Sequence, residues 1–120
     1  MQTASVLPPV YRDIKRLLVQ VEEAVRRFPR YHKYTLGTDL RGQAMKLLRL
    51  VHKALRDKVH QLKHVQSLLW ALDDFRLTLQ LAKELAVFKS FAQFEALALL
   101  TGNIGKQCGG WYKALQGRSA

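Results

Sequence analysis

The sequence predicts an all-α fold, an antiparallel up-and-down bundle of four helices. Three observations lead there. Apolar side chains recur at steps of three and four through four stretches of roughly 20 residues, the spacing that lines one side of a helix. No stretch alternates apolar and polar residues as a strand does. The segments between the stretches are short, which suits helices that turn back onto their neighbours. At 120 residues the chain reads as one domain, long enough to bury a proper core.

The first helix is expected over residues 8–28. Pro8 and Pro9 suit a first turn, where a missing N–H costs nothing. Val10, Ile14, Leu17, Val21, Ala24 and Phe28 then form the inward stripe, widened by Tyr11, Leu18 and Val25. Pro29 ends it. Met1 to Leu7 precede it as a short tail.

The second helix is expected over 36–60, with Thr35 or Thr38 as its cap. Leu40, Ala44, Leu47, Val51, Ala54 and Leu55 take one side, with Leu48 near the border. Lys46, Arg49, Lys53, Arg56, His60 and Lys63 follow at steps of three and four and would share the opposite side as one ribbon, preceded by Arg41. Asp57 is the only acid among them. Like charges at that spacing repel by a few tenths of a kcal/mol per pair, so the ribbon suggests an anionic partner. Gly42 costs about 1 kcal/mol relative to alanine inside a helix; a close approach of another helix is one reason for it. His60 and His64 lack a third metal ligand, and His32 and His52 read as surface or partly buried polar groups.

The third helix is expected over 65–87. Its apolar residues, among them Leu68, Leu69, Trp70, Phe75, Leu77, Leu81 and Leu85, go almost all round the helix. A four-helix bundle buries one stripe per helix, so part of this one needs a second partner, and another copy of the chain is the simplest. Asp73 and Asp74 read as surface carboxylates, with Asp73 spaced to meet Arg76. Ser90 with Gln93 forms a capping box that starts the fourth helix at Phe91, with an expected span of 91–115. Phe91, Phe94, Leu97, Ala98, Thr101, Ile104, Gly105 and Cys108 make its inner row, resumed by Trp111 and Leu115. Gly102, Gly105, Gly109 and Gly110 would let another backbone come close. Gly117 to Ala120 should be disordered.

Composition narrows the functional classes. The net charge is +11, with 14 cations against 5 carboxylates in residues 1–64 and 6 against 4 beyond. A balance of that kind favours nucleic acid or an anionic surface as partner, met by the first half of the chain. No apolar run is long enough to span a membrane, no signal-peptide pattern opens the sequence, and one cysteine fits a reducing cytoplasm. There is no phosphate-cradling loop, nucleophile elbow, di-metal cluster or cofactor motif. Cys108 sits on an apolar row and reads as a small buried hydrophobe. Catalysis is therefore not expected. The connector from Phe28 to Gly37 gathers Arg26, Arg27, Arg30 and Lys33 with Tyr31 and Tyr34. Such rings can stack on bases while the cations hold phosphates; equally, the tyrosines can pack over the bundle and the cations complement the end of the first helix.

Three short motifs in order, Phe28-Pro29-Arg30, Thr35-Leu36-Gly37 and Gly109-Gly110-Trp111, carry a resemblance over about residues 8–115. The first two resemble the small four-helix proteins encoded in bacterial 23S ribosomal RNA intervening sequences. The third, after Glu95 and a leucine-rich helix, is similar to the accessory variability determinant of diversity-generating retroelements. That resemblance implies a ring-like homopentamer of four-helix protomers, binding to RNA or DNA through a basic surface, and association with the retroelement's reverse transcriptase in mutagenic retrohoming. A protein-interaction scaffold of the intervening-sequence type, without a dedicated nucleic-acid role, is the alternative.

Overall fold

Four long helices and one helical turn make up the computed structural model, which describes residues 8–119. They are α1 (Pro9–Arg26), α2 (Arg30–Lys33), α3 (Leu36–Arg56), α4 (Gln61–Glu84) and α5 (Phe91–Ser119). No strand occurs among the described residues. α1 packs on α3 and α5, α4 packs on the same two, and α2 leans on α3, so the long helices close into a square bundle. Each long helix therefore keeps one face outward.

The inward stripes are the ones their spacing predicts. Ile14, Leu17 and Val21 of α1 meet Leu40, Leu47 and Val51 of α3, Leu68, Leu72 and Phe75 of α4, and Leu97 and Ile104 of α5 in one core, all at most 2% exposed. Burying each such side chain stabilises the fold by about 1.5–3 kcal/mol. A smaller cluster of Ala54, Val65 and Leu115 closes the opposite end, with half-buried Trp111 packed against both clusters. Thr101 is buried too, its hydroxyl donating to the Leu97 carbonyl at 2.7 Å.

The first turn of α1 has Pro9 at its start, with the Tyr11 and Arg12 amides bonded to the Pro8 carbonyl. α1 stops at Arg26, and Pro29 becomes the N-cap of the short α2 rather than only the end of its predecessor. Thr35 stands at the N-cap of α3 but makes no capping bond; its hydroxyl donates to the His32 carbonyl at 3.4 Å, and Thr38 is exposed inside the helix. α5 begins as expected, with the Gln93 amide donating to Ser90 Oγ at 3.2 Å and Gln93 Oε1 accepting from the Lys89 amide at 3.2 Å.

The largest departure lies between α3 and α4. α3 ends at Arg56, four residues before the expected boundary, and α4 starts at Gln61 rather than 65. Asp57 is the cause. Its carboxylate accepts the His60 amide at 3.3 Å and, at 3.0 and 2.9 Å, the His60 and His64 rings. A side chain that captures a backbone N–H three residues on replaces the helical bond that would otherwise form. Gln61 Nε2 donates to the Ala54 carbonyl at 2.7 Å, satisfying one acceptor that the end of α3 leaves open.

Other expectations are corrected on α4 and α5. α4 ends at Glu84, short of residue 87, in a left-handed Ala86 (φ 56°), and the Val87 amide returns to the Ala82 carbonyl. Arg76 does not pair with Asp73; its guanidinium lies over Gly105, where a methyl group would overlap it. Phe91, expected on the inner row, is 62% exposed. Gly42, Gly102, Gly109 and Gly110 have no neighbour within reach of an added Cβ, so no helix of this protomer approaches them closely. α5 continues through Ser119, so residues 117–119 are helical rather than a loose tail. The expected tail Met1–Leu7 and Ala120 lie outside the described residues.

Candidate nucleic-acid interface

The outward face of α3 carries its charge by elimination. Leu40, Ala44, Leu47, Val51 and Ala54 are drawn into the core, which turns Lys46, Arg49, Lys53 and Arg56 to solvent on the far side. All four are exposed, and none meets a carboxylate within ion-pair distance among the described residues. An exposed row of one sign with no internal counter-charge keeps its field available to an anion.

The ribbon is shorter than its spacing predicts. His60 lies in the turn that Asp57 organises, and Lys63 belongs to α4, so neither extends the α3 row. Asp57 is held well below the ordinary carboxylate range, at about 2, chiefly by the His64 hydrogen bond and then by that from His60. Among the described residues no set of side chains is arranged to hold a metal ion. Arg41 is exposed but is engaged by Glu22 of α1, its Nε donating to the Glu22 carboxylate. It therefore links α1 to α3 before it can reach a ligand.

α1 supplies cations that the ribbon pattern alone did not single out. Tyr11 shares a shallow groove with Leu48, Arg49, His52 and Lys53 of α3, and Lys15 Nζ lies 5.8 Å from the Tyr11 ring centre. Arg12, Lys15 and Arg16 line the neighbouring depression on α1. Of these, Arg16 pairs with Asp13 at 3.2 Å, and Asp13 also accepts from Gln107 of α5 at 2.7 Å. The signal was present, since these residues sit between core positions 10, 14 and 17. Spacing along one helix does not show them, because their charge meets that of α3 only where the two helices pack. Over residues 9–56 there are twelve cations against four carboxylates. The charge is therefore a property of the α1–α3 side of the bundle.

Arg26, Arg27, Arg30 and Lys33 gather where α1 hands over to α2, at the other end of α3 from Arg56. A 21-residue helix separates the two by roughly 30 Å. The motif residues of this corner are structural. Phe28 is buried with its ring edge-on to Phe88 at 5.3 Å, Leu36 is buried, and Gly37 sits against Val25. Tyr31 and Tyr34 do not pack over the bundle: they are 85% and 72% exposed. Of the C-terminal motif, Trp111 is packed into the end of the core while Gly110 faces outward.

Elsewhere, Cys108 is fully buried, and burial pushes its thiol up to about 12, which removes it as a nucleophile. No described helix is long and apolar enough to cross a membrane. On the outer side of α4, Trp70 is 67% and Leu77 72% exposed, with Leu81 and Leu85 in the same row.

Comparison with protein families matches residues 10–115 to one model, described as bAvd-like. No curated protein matches the chain.

Proposed function

This chain belongs to the bAvd-like family, that of the accessory variability determinant of diversity-generating retroelements, and from that premise we propose that it is a non-catalytic nucleic-acid-binding subunit. In this reading it assembles as a homo-oligomer, a pentamer by analogy with its family, and associates with the retroelement's reverse transcriptase while template RNA is copied into cDNA. The observation that carries the nucleic-acid part is the unpaired row of Lys46, Arg49, Lys53 and Arg56, with Lys15 of α1 beside the Tyr11 ring that shares its groove.

The chemistry is that of phosphate neutralisation. Exposed cations on rigid helices meet backbone phosphates and release condensed counterions, with little dependence on base sequence. Reading base edges demands side chains fixed in a groove by hydrogen bonds; the cations of the α3 row have no side-chain hydrogen-bond partner among the described residues. The assembly part is supported by the row Trp70, Leu77, Leu81 and Leu85, since a wet apolar strip on a helix is the usual mark of a protein contact. Salt titration of binding to a fluorescent duplex tests the first part. If about five phosphates are neutralised, the log–log slope is roughly −4 to −5. Reversing charge in Arg49→Glu/Lys53→Glu weakens binding to every sequence alike. Binding that ignores both salt and this double substitution removes the α3 surface from consideration.

A further inference from the structure

We propose that the α2 corner is a separate contact for unpaired nucleotides, in which Tyr31 and Tyr34 stack on bases while Arg26, Arg30 and Lys33 hold the phosphates of the same strand. The inference rests on the nucleic-acid reading above, but it assigns a different state of the ligand to a different end of the protomer. Its starting point is the exposure of the two tyrosines, at 85% and 72%. Two large rings left in water a few residues apart, amid cations, are poorly explained by folding, since neither is buried in the core.

The rings stand on a firm base. Tyr31 is in the α2 turn and Tyr34 is its C-cap, three residues on, so both leave the same side of the turn. Pro29 fixes the entry to that turn, and the His32 and Lys33 amides bond to its carbonyl at 2.9 and 3.0 Å. Beneath it, Phe28 is anchored in the core against Phe88. The His32 ring meets that of Tyr31 edge-on at 5.0 Å, limiting its rotation while leaving it accessible. A stacking platform needs this combination of open ring and fixed backbone.

Next to Tyr34 a cleft of about 180 Å³ opens between α1, α2 and α3, lined by Glu22, Val25, Arg26, Lys33, Tyr34 and Arg41. A cavity of about 150 Å³ accommodates a benzene ring, so the cleft has room for a single six-membered ring. Tyr34 gives it an aromatic wall and Val25 an apolar one. Glu22 would repel a phosphate, but Arg41 already holds it. The charges left free on the rim are Arg26 and Lys33. Within a duplex the base faces are covered by their neighbours, so away from its ends only unpaired bases can present a face to the tyrosines. Beside the α3 row Tyr11 is partly buried and His52 is the exposed ring, so that surface lacks a pair of open tyrosines and is read as a phosphate contact.

Fluorescence anisotropy separates the two contacts, using a 12-nucleotide single strand and a blunt duplex of equal length. Tyr31→Ala/Tyr34→Ala is expected to lower affinity for the single strand by about tenfold or more and to leave duplex affinity within about twofold. Tyr31→Phe/Tyr34→Phe keeps the rings and retains single-strand affinity. A 2-aminopurine placed in the strand is quenched on binding to wild type and not to the alanine pair. Equal single-strand affinity of wild type and the alanine pair overturns the inference, as does parallel loss of single-strand and duplex binding. A tyrosine-dependent affinity confined to phosphatidylserine vesicles overturns it as well. Absence of all nucleic-acid binding sinks the broader reading too. Intact duplex binding with tyrosine-independent single-strand binding sinks this inference alone.

Discussion

A Cβ built on Gly37 would stand 2.7 Å from Cγ1 of Val25, where α3 begins alongside the end of α1. Val25 is buried and β-branched, so it has little freedom to withdraw. Gly37→Ala is therefore expected to destabilise the fold by about 1–3 kcal/mol, the usual range for overpacking. Gly42, five residues on, makes a control because nothing lies within 4 Å of its added Cβ. Gly42→Ala gains helix propensity and stabilises by about 1 kcal/mol. Urea unfolding of the two variants should shift in opposite directions. A Gly37→Ala protein as stable as Gly42→Ala would show that the α1–α3 crossing is looser than described.

Ala86 occupies a left-handed position that glycine normally takes at the end of a helix. The Val87 amide still closes the turn onto the Ala82 carbonyl at 3.2 Å, and Val87 is buried, so the core holds the geometry in place. An alanine in this region is strained by roughly 1–2 kcal/mol, partly offset by the lower entropy of its unfolded chain. Ala86→Gly should raise stability by about 0.5–1 kcal/mol, visible as an increase of a few degrees in melting temperature. A lower melting temperature would count against a strained turn.

Much of the fold could be read from periodicity, because the inward positions of α1, α3 and, apart from Phe91, α5 follow the apolar spacing. The break between α3 and α4 could not. The apolar pattern runs past Arg56, and side-chain bonds of Asp57 and Gln61 take over where the helical bonds stop. Side-chain competition for a backbone donor leaves no trace in hydrophobic spacing. The same limit affected the interface. Lys46, Arg49, Lys53 and Arg56 were legible because they share one helix, whereas Lys15 joins them only through the packing of α1 on α3. Whether Tyr31 and Tyr34 were covered could not be judged from their neighbours in sequence, since cover depends on what lies above them in space.

The Asp57 turn should leave a signature in acid. Its carboxyl pKa falls from 3.8 in an unstructured chain to about 2, so the folded state favours the ionised form. The stability this supplies is fully present above the unfolded value and disappears as pH falls through the folded one. The melting-temperature gap between wild type and Asp57→Ala should thus be constant from about pH 5 down to about pH 4 and close towards pH 2. The group is exposed enough that the gap is modest. A gap that persists unchanged at pH 2 would mean that the turn is held by something other than the charged carboxylate.

Cys108 offers a probe of opening. The thiol is fully buried in the core and pushed up to about 12, so both access and ionisation oppose reaction. Alkylation by iodoacetamide at pH 8 should be negligible in buffer and rise with the unfolded fraction in urea. Rapid labelling of the native protein would place the thiol at a mobile position instead.

Leu77 tests the assembly. It lies 72% exposed on α4 with Trp70 seven residues before it, Leu81 four after and Leu85 four beyond that, a single apolar row about four turns long. In a lone protomer, Leu77→Glu is a surface change worth within about ±0.5 kcal/mol. In an oligomer that buries this row, the carboxylate would be desolvated without a partner, and breaking the contact would relieve it. Light scattering should therefore show wild type as an oligomer, five-fold if the family analogy holds, and Leu77→Glu at a lower mass with unchanged helical content. A wild-type mass equal to one chain would remove the assembly from the proposed function, while an unchanged oligomer in Leu77→Glu would move the interface away from α4.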